Sequence, residues 1–195
     1  MGLVVGRWWR WLRGDGPLEI LPARPLPAAV AWLFALVLAW AIGAASPQGP
    51  AALHAALSLG LEALLTAATV LVAGRRNLLA QALQAAGLLA GLRNLVLAPV
   101  LALLFADKAQ AGPGTILALF VPLALVTVAA MAWLVRRYLV LWQQALRIKP
   151  AMAGVVLLGL ALALLCVEAL LARGFPGITL PAQASQGAAV AASLR

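Results

Sequence analysis

Charge is scarce in this sequence: lysine, arginine, aspartate and glutamate make up 10% of the residues, whereas 65% are hydrophobic. Soluble domains carry about 25% charged and about 45–50% apolar residues. So few charges cannot cover a water-facing surface, which excludes an ordinary soluble globule. The lipid bilayer is therefore predicted to surround most of the molecule.

Residues that build metal and catalytic sites are equally scarce. The chain has one cysteine, Cys166, and one histidine, His54. A single cysteine excludes an intrachain disulfide, and the two residues together cannot supply the three or four ligands of a zinc site. No glycine-rich phosphate-binding loop and no nucleophile–histidine–acid set is found. We predict that the protein is not an enzyme and has no cofactor or metal, and no small-molecule substrate is evident.

Five long apolar segments dominate the sequence, each close to the roughly 20 residues that a helix needs to cross a bilayer. They lie at about 28–45, 51–73, 78–105, 115–135 and 151–172. Strict two-residue alternation is absent, which argues against an outer-membrane barrel. The predicted fold is an all-α integral membrane bundle of five transmembrane helices over residues 28–172.

The N-terminal residues 1–27 are predicted to form a cytoplasmic segment in two parts. The first part interleaves tryptophan with arginine, which is typical of the headgroup layer; its residues are Arg7, Trp8, Trp9, Arg10, Trp11 and Arg13. Four prolines between Pro17 and Pro27 then prevent a continuous helix and form a connector. A second interfacial connector is predicted over 136–150, with Arg136, Arg137, Tyr138 and Trp142.

The basic residues indicate the orientation of the chain. With the N-terminus in the cytoplasm, ten basic residues fall inside and three outside. Those inside are Arg7, Arg10, Arg13, Arg24, Arg75, Arg76, Arg136, Arg137, Arg147 and Lys149; those outside are Lys108, Arg173 and Arg195. The positive-inside rule predicts an inner-membrane protein with a periplasmic C-terminus, where residues 173–195 form a flexible tail. Topology thus accounts for the net charge of +9, and no nucleic-acid partner is predicted.

Three ionisable residues lie inside the predicted spans: Glu62, Arg93 and Glu168. Each costs about 2.5–3.5 kcal/mol at a helix centre, so such groups usually face the bundle interior and pair. We predict an intramembrane polar cluster of these three residues and Asn94, in which Arg93 pairs with Glu62 or with Glu168. Helix rise places all three ionisable residues in the outer half of the membrane. Alternatively, Glu168 extends to the outer surface.

The third span also carries glycines four residues apart, Gly87 and Gly91. This spacing is typical of helices that approach a neighbour closely in a membrane. We predict that the two glycines form a helix-packing site.

Several segments are similar to small bacterial members of the Yip1 family, over roughly residues 25–173. They are the proline-rich approach to the first span with Pro25, Pro27 and Trp32, the third span from Asn77 through Asn94 to Pro99, and the stretch Trp133–Trp142. The resemblance implies a multi-span protein without enzyme activity that acts through protein contacts. The Asp-Leu-Tyr-Gly-Pro stretch of the eukaryotic members is missing here, so no functional residue is transferred.

The resulting hypothesis is a non-enzymatic scaffold or accessory subunit of a larger membrane assembly. Its expected partners are the lipid bilayer and other membrane subunits or a second copy of the chain. The alternative is a small transporter or channel component that uses Glu62, Arg93 and Glu168.

Overall fold

The computed structural model describes residues 2–44, 51–105 and 113–174, and in these ranges the chain is helical with no strand. The helices are α1 (Gly2–Arg13), α2 (Pro25–Ala44), α3 (Ala51–Val72), α4 (Leu79–Phe105), α5 (Pro113–Leu146) and α6 (Pro150–Gly174). In the described part, four helices, namely α2, α4, α5 and α6, are long and apolar enough to cross a membrane, and α3 contributes a shorter apolar stretch, Ala56–Val72. The all-α prediction is confirmed.

Two short turns make neighbouring helices antiparallel. Gly74, with a φ of 72°, adopts the left-handed conformation that ends many helices, and its N–H bonds to the carbonyl of Leu71 at 2.9 Å. Arg147, with a φ of 55°, follows the end of α5. Pro150 then opens α6, at a position where a missing N–H costs nothing. Helices α3 and α4, and likewise α5 and α6, therefore run in opposite directions side by side.

Helix α2 packs against α4 where α4 carries the two glycines. A Cβ added at Gly87 would lie 3.1 Å from the backbone nitrogen of Trp32 and 3.2 Å from the carbonyl carbon of Ala31. A Cβ added at Gly91 would lie 2.6 Å from the Phe34 ring. The absence of side chains at both positions thus allows the close approach of the two helices.

Helices α2 and α4 run parallel, because later residues of one meet later residues of the other. Near the start of both helices, Gln84 contacts Pro22, and further along the Asn94 amide donates to the carbonyl of Ala35 at 3.2 Å. The chain must therefore return between them, and α3 makes that return. We call the end where α2 and α4 begin, and where α3 and α5 end, the basic end, because Arg75, Arg76, Arg147 and Lys149 lie there.

Most of the stretch predicted as an interfacial connector, 136–150, is a helical continuation of α5. Helix α5 continues to Leu146 and has 34 residues, or about 51 Å at 1.5 Å per residue. That exceeds a hydrocarbon core of about 30 Å, so a membrane-inserted α5 would extend beyond it. The extension is helical because it lacks glycine and proline and buries Arg137, Leu141 and Ala145 at four-residue spacing on one face.

Some predictions fall outside the described residues. These are the predicted loop around Asp107 and Lys108, the side chains of His54, Glu168 and Arg173, and the tail after Gly174.

Candidate functional site

An ion pair joins α3 to α4 inside the bundle. Arg93 Nη2 donates to Glu62 Oε2 at 2.9 Å. The Tyr138 hydroxyl of α5 donates to the other carboxylate oxygen, Glu62 Oε1, at 3.0 Å. The side chain of Glu62 is 10% exposed and that of Arg93 is 29% exposed. Three helices thus hold one buried carboxylate, and we call Glu62, Arg93 and Tyr138 the polar triad.

The four-residue spacing of polar residues along α3 explains why the Glu62 carboxylate faces the bundle interior. Ser58, Glu62 and Thr66 follow one another at four-residue intervals and lie on one face of α3. Glu62 and Thr66 are buried, so this face points into the bundle. The ionisable group and its polar neighbours therefore form a stripe along α3.

Two cavities adjoin the polar triad. One of about 120 Å³ lies between α3, α4, α5 and α6. Its polar lining is Glu62, Thr66, Arg93 and Tyr138. The α6 side is apolar, from Leu157 to Leu164. A second cavity of about 180 Å³ lies between α2, α3 and α4, lined in part by Ser58 and Asn94, and Arg93 contacts both cavities.

Helix α1 docks on the bundle through Trp11, which is completely buried. The Trp11 indole N–H donates to Gln144 Oε1 at 3.2 Å, and the Arg137 guanidinium donates to the Trp11 carbonyl. The same guanidinium lies over the Trp11 ring, 4.7 Å from its centroid. This arrangement combines a cation–π contact with a charge-assisted hydrogen bond.

Gln84 of α4 makes a second contact with the N-terminal segment. In the amide orientation that suits both neighbours, Gln84 accepts from the indole N–H of Trp8 and donates to the carbonyl of Pro22 at 3.1 Å. Further along, Arg147 pairs with Glu19 at 3.9 Å. The N-terminal segment is therefore attached to both α4 and α5.

The docking site of α1 and the polar triad are next to each other. Arg137 contacts α1, and the adjacent residue Tyr138 contacts Glu62. The pair of Glu62 and Arg93 lies near the middle of both α3 and α4. Its position in the outer half of the membrane stays a prediction.

The two predicted membrane-interface groups divide into buried and exposed residues. Trp11, Arg137 and Trp142 are buried at no more than 6% exposure, and Tyr138 is half-buried in the triad, so these four do not form an exposed interfacial surface. Trp11 and Arg137 bury each other where α1 meets α5, whereas Tyr138 and Trp142 face the cavity between α3, α4, α5 and α6. On the outside are Arg7, Trp9, Arg10, Arg13 and Arg136, while Trp8 is half-buried. Arg13 lies over the Trp9 ring at 5.4 Å and 3.6 Å from Asp15.

Three residues of these sites were not among the predicted contacts. The sequence could have predicted an interior position for Gln84, since a polar side chain within an apolar span usually faces the interior. No sequence feature predicted an interior position for Tyr138 and Gln144, because the residues around them indicated a connector. The structure brings Glu62, Arg93 and Asn94 to neighbouring positions.

The chemistry available is that of charge neutralisation and hydrogen bonding. Within the described ranges no group of three or more histidine, cysteine or acidic residues lies close enough to hold a metal ion. Trp142 lines the smaller cavity, and within the described residues its indole N–H has no hydrogen-bond partner. Comparison with protein-family models, curated proteins and solved structures gives no match to this chain.

Proposed function

We propose that this chain is a five-span inner-membrane protein that acts as a non-enzymatic scaffold or accessory subunit of a larger membrane assembly. The observation that carries the proposal is the polar triad, in which both Glu62 oxygens are bound by side chains of the bundle. A carboxylate held in this way supports the packing of three helices, which is the role of a structural element.

The parallel arrangement of α2 and α4 supports five crossings. If both helices cross the membrane in the same direction, the intervening chain must cross back. Helix α3 has 22 residues, or about 33 Å at 1.5 Å per residue, which is enough for that crossing. The concentration of arginine and lysine at the basic end supports a cytoplasmic location for that end and for α1.

Helix α6 offers a surface to a partner helix. Only 6% of its apolar stretch is buried in the bundle, against 44% for α4. Exposed residues recur along it at three- and four-residue spacing, namely Met152, Val155, Gly159, Leu162 and Cys166. This spacing, with small residues at two positions, suits close packing against another transmembrane helix. The proposed partner is a membrane subunit or a second copy of the chain, in keeping with the Yip1-like resemblance.

Cys166 is the single cysteine of the sequence, so a thiol reagent labels one position on α6 and can test this surface for a partner. A photoactivatable thiol reagent attached to Cys166 in native membranes should capture a discrete membrane polypeptide that also co-purifies in mild detergent. The matched control carries Cys166→Ser with Leu125→Cys, which moves the probe to a 68% exposed position on α5. Equal capture from both positions, or purification of a lone chain without any cross-link, would contradict a scaffold that uses α6.

A small transporter or channel component is the second candidate, and the cavities beside the triad favour it. Arg93 lines both cavities, so polar groups lie in neighbouring cavities of the bundle interior. Purified protein in liposomes tests this role: a proton or ion flux that Glu62→Gln abolishes would favour transport. Absence of flux, together with stable co-purification of partner subunits, would favour the scaffold.

A further inference from the structure

A groove of about 640 Å³ lies between the first turns of α1 and the proline-rich approach to α2. Arg7 and Arg24 supply its charge, and Leu3 and Leu26 are among its apolar lining. The volume is within the roughly 300–1,000 Å³ typical of small-molecule sites. The groove therefore combines two cations with an apolar floor at the start of a membrane-length helix.

The positive charge of this groove is not balanced by the described acids. The three described carboxylates lie beside other arginines: Asp15 with Arg13, Glu19 with Arg147, and Glu62 with Arg93. No acidic residue lines the groove. Its electrostatic complement is consequently an anion.

An apolar stripe extends from the groove along the outer face of α2. Its residues recur at four- and three-residue spacing and are 40–72% exposed, namely Leu26 (72%), Val30 (40%), Leu33 (58%), Val37 (53%) and Trp40 (56%). The stripe is about 21 Å long at 1.5 Å per residue, which spans most of a bilayer hydrocarbon core. A ligand that fits both features has an anionic head and a long apolar tail.

We propose that the groove binds an anionic phospholipid. The headgroup phosphate lies between the guanidinium groups of Arg7 and Arg24, and an acyl chain follows the stripe on α2. Guanidinium groups bind phosphate oxygens through paired N–H donors, and basic pockets beside membrane helices are suited to acidic headgroups. The proposal requires α2 to be in the membrane, and it is independent of the scaffold role.

The test measures lipid binding to the purified full chain by native mass spectrometry in mild detergent, with phosphatidylglycerol and phosphatidylcholine titrated separately. The variant Arg7→Gln with Arg24→Gln should weaken phosphatidylglycerol binding by about 25-fold, since each basic residue near an acidic membrane contributes about fivefold. The control variant Arg76→Gln with Lys149→Gln removes the same charge at exposed positions that belong to neither α1 nor α2, and it should change binding by less than about twofold, because exposed charges away from the groove are screened.

Other outcomes would overturn the proposal. Equal binding of phosphatidylglycerol and phosphatidylcholine to the unmodified chain would overturn it without the need for any variant. Equal weakening by the two double variants would indicate a general charge effect. Displacement of the lipid by millimolar inorganic phosphate would mean that the site binds free phosphate, and a polypeptide cross-linked to a probe at Leu33 would mean that a protein covers the stripe. Should the glutamine variant fail to fold, Arg7→Lys with Arg24→Lys retains the charge and should weaken binding less than fivefold.

Discussion

Glu62 is the residue on which the interior of the bundle depends, because its two oxygens accept hydrogen bonds from α4 and α5. Replacing Arg93 with leucine leaves the carboxylate without its cation in a largely buried position. We expect Arg93→Leu to lower the free energy of unfolding by about 3 kcal/mol, the cost of breaking a buried ion pair by removing one partner. Thermal unfolding in detergent measures this, together with accumulation in the membrane.

The double variant Arg93→Leu with Glu62→Leu is the control, because it removes both charges at once. It should be more stable than Arg93→Leu alone, since no unpaired charge remains in the interior. If the single and double variants unfold at the same temperature, the pairing of these two residues does not stabilise the bundle.

Tyr138 makes a smaller contribution, because its hydroxyl supplies one hydrogen bond to a carboxylate that Arg93 already neutralises. Tyr138→Phe removes only that bond and keeps the ring. We expect a loss of about 0.6–1.7 kcal/mol in the same unfolding measurement, as for hydrogen bonds between membrane helices. In the background of Glu62→Leu the same change should have no effect, and an undiminished loss there would show that the hydroxyl acts elsewhere.

At the scale of elements, α1 is docked on α5 by the buried Trp11 ring, with a further contact from Trp8 to Gln84 of α4. Trp11→Ala removes the ring over which Arg137 lies and the donor to Gln144. We expect α1 to detach, so that trypsin cleaves after Arg10 and Arg13 at least tenfold faster while α2–α6 stay folded; a buried Trp→Ala change costs about 3–5 kcal/mol. Trp9→Ala is the matched control, because Trp9 is 57% exposed. Equal cleavage of the two variants would contradict the docking.

The contact between α2 and α4 depends on the missing side chain at Gly87. Gly87→Leu would push against the α2 backbone, which cannot rotate away as a side chain can. We expect a loss of at least about 1–3 kcal/mol, the usual cost of overpacking. Gly60→Leu on α3 is the control, since nothing lies within 4 Å of a Cβ there, and it should change stability by less than about 0.5 kcal/mol. Thermal unfolding of both variants in one detergent provides the comparison, and equal melting temperatures would exclude a close packing role for Gly87.

The elements that the sequence could predict are those with a strong physical signal. Long apolar runs predict helices of membrane length, and a glycine pair indicates a close approach, because few other arrangements satisfy them. The continuation of α5 through 136–146 was not predicted, because arginine and tryptophan suit both an interface and a helix that other elements cover. Only tertiary contacts distinguish the two, and the partner of Arg137 is a backbone carbonyl 126 residues away.

For the whole molecule, the decisive property is the number of crossings. Helices α2 and α4 run parallel and begin side by side, so if both cross the membrane, the chain between them must cross it an odd number of times. If α3 crosses, five spans place the two termini of the bundle on opposite sides of the membrane. An even count would require that α2 or α4 does not cross, and it would place the two termini of the bundle on the same side. The parity of the count is therefore measurable by comparing the side of the basic end with the side of the C-terminus.

Reporter fusions after Arg195, after Gly74 and after Lys149 test the topology. With five crossings and the basic end inside, an enzyme that is active only in the periplasm should be active after Arg195 and inactive after the other two residues. A cytoplasm-active reporter should give the opposite pattern, which controls for expression. The physical reason is that Arg75, Arg76, Arg147 and Lys149 flank the two turns at the basic end, and moving them across the membrane is opposed by the positive-inside effect. Periplasmic activity after Gly74 would mean that the basic end faces outward, and cytoplasmic activity after both Gly74 and Arg195 would mean an even number of crossings.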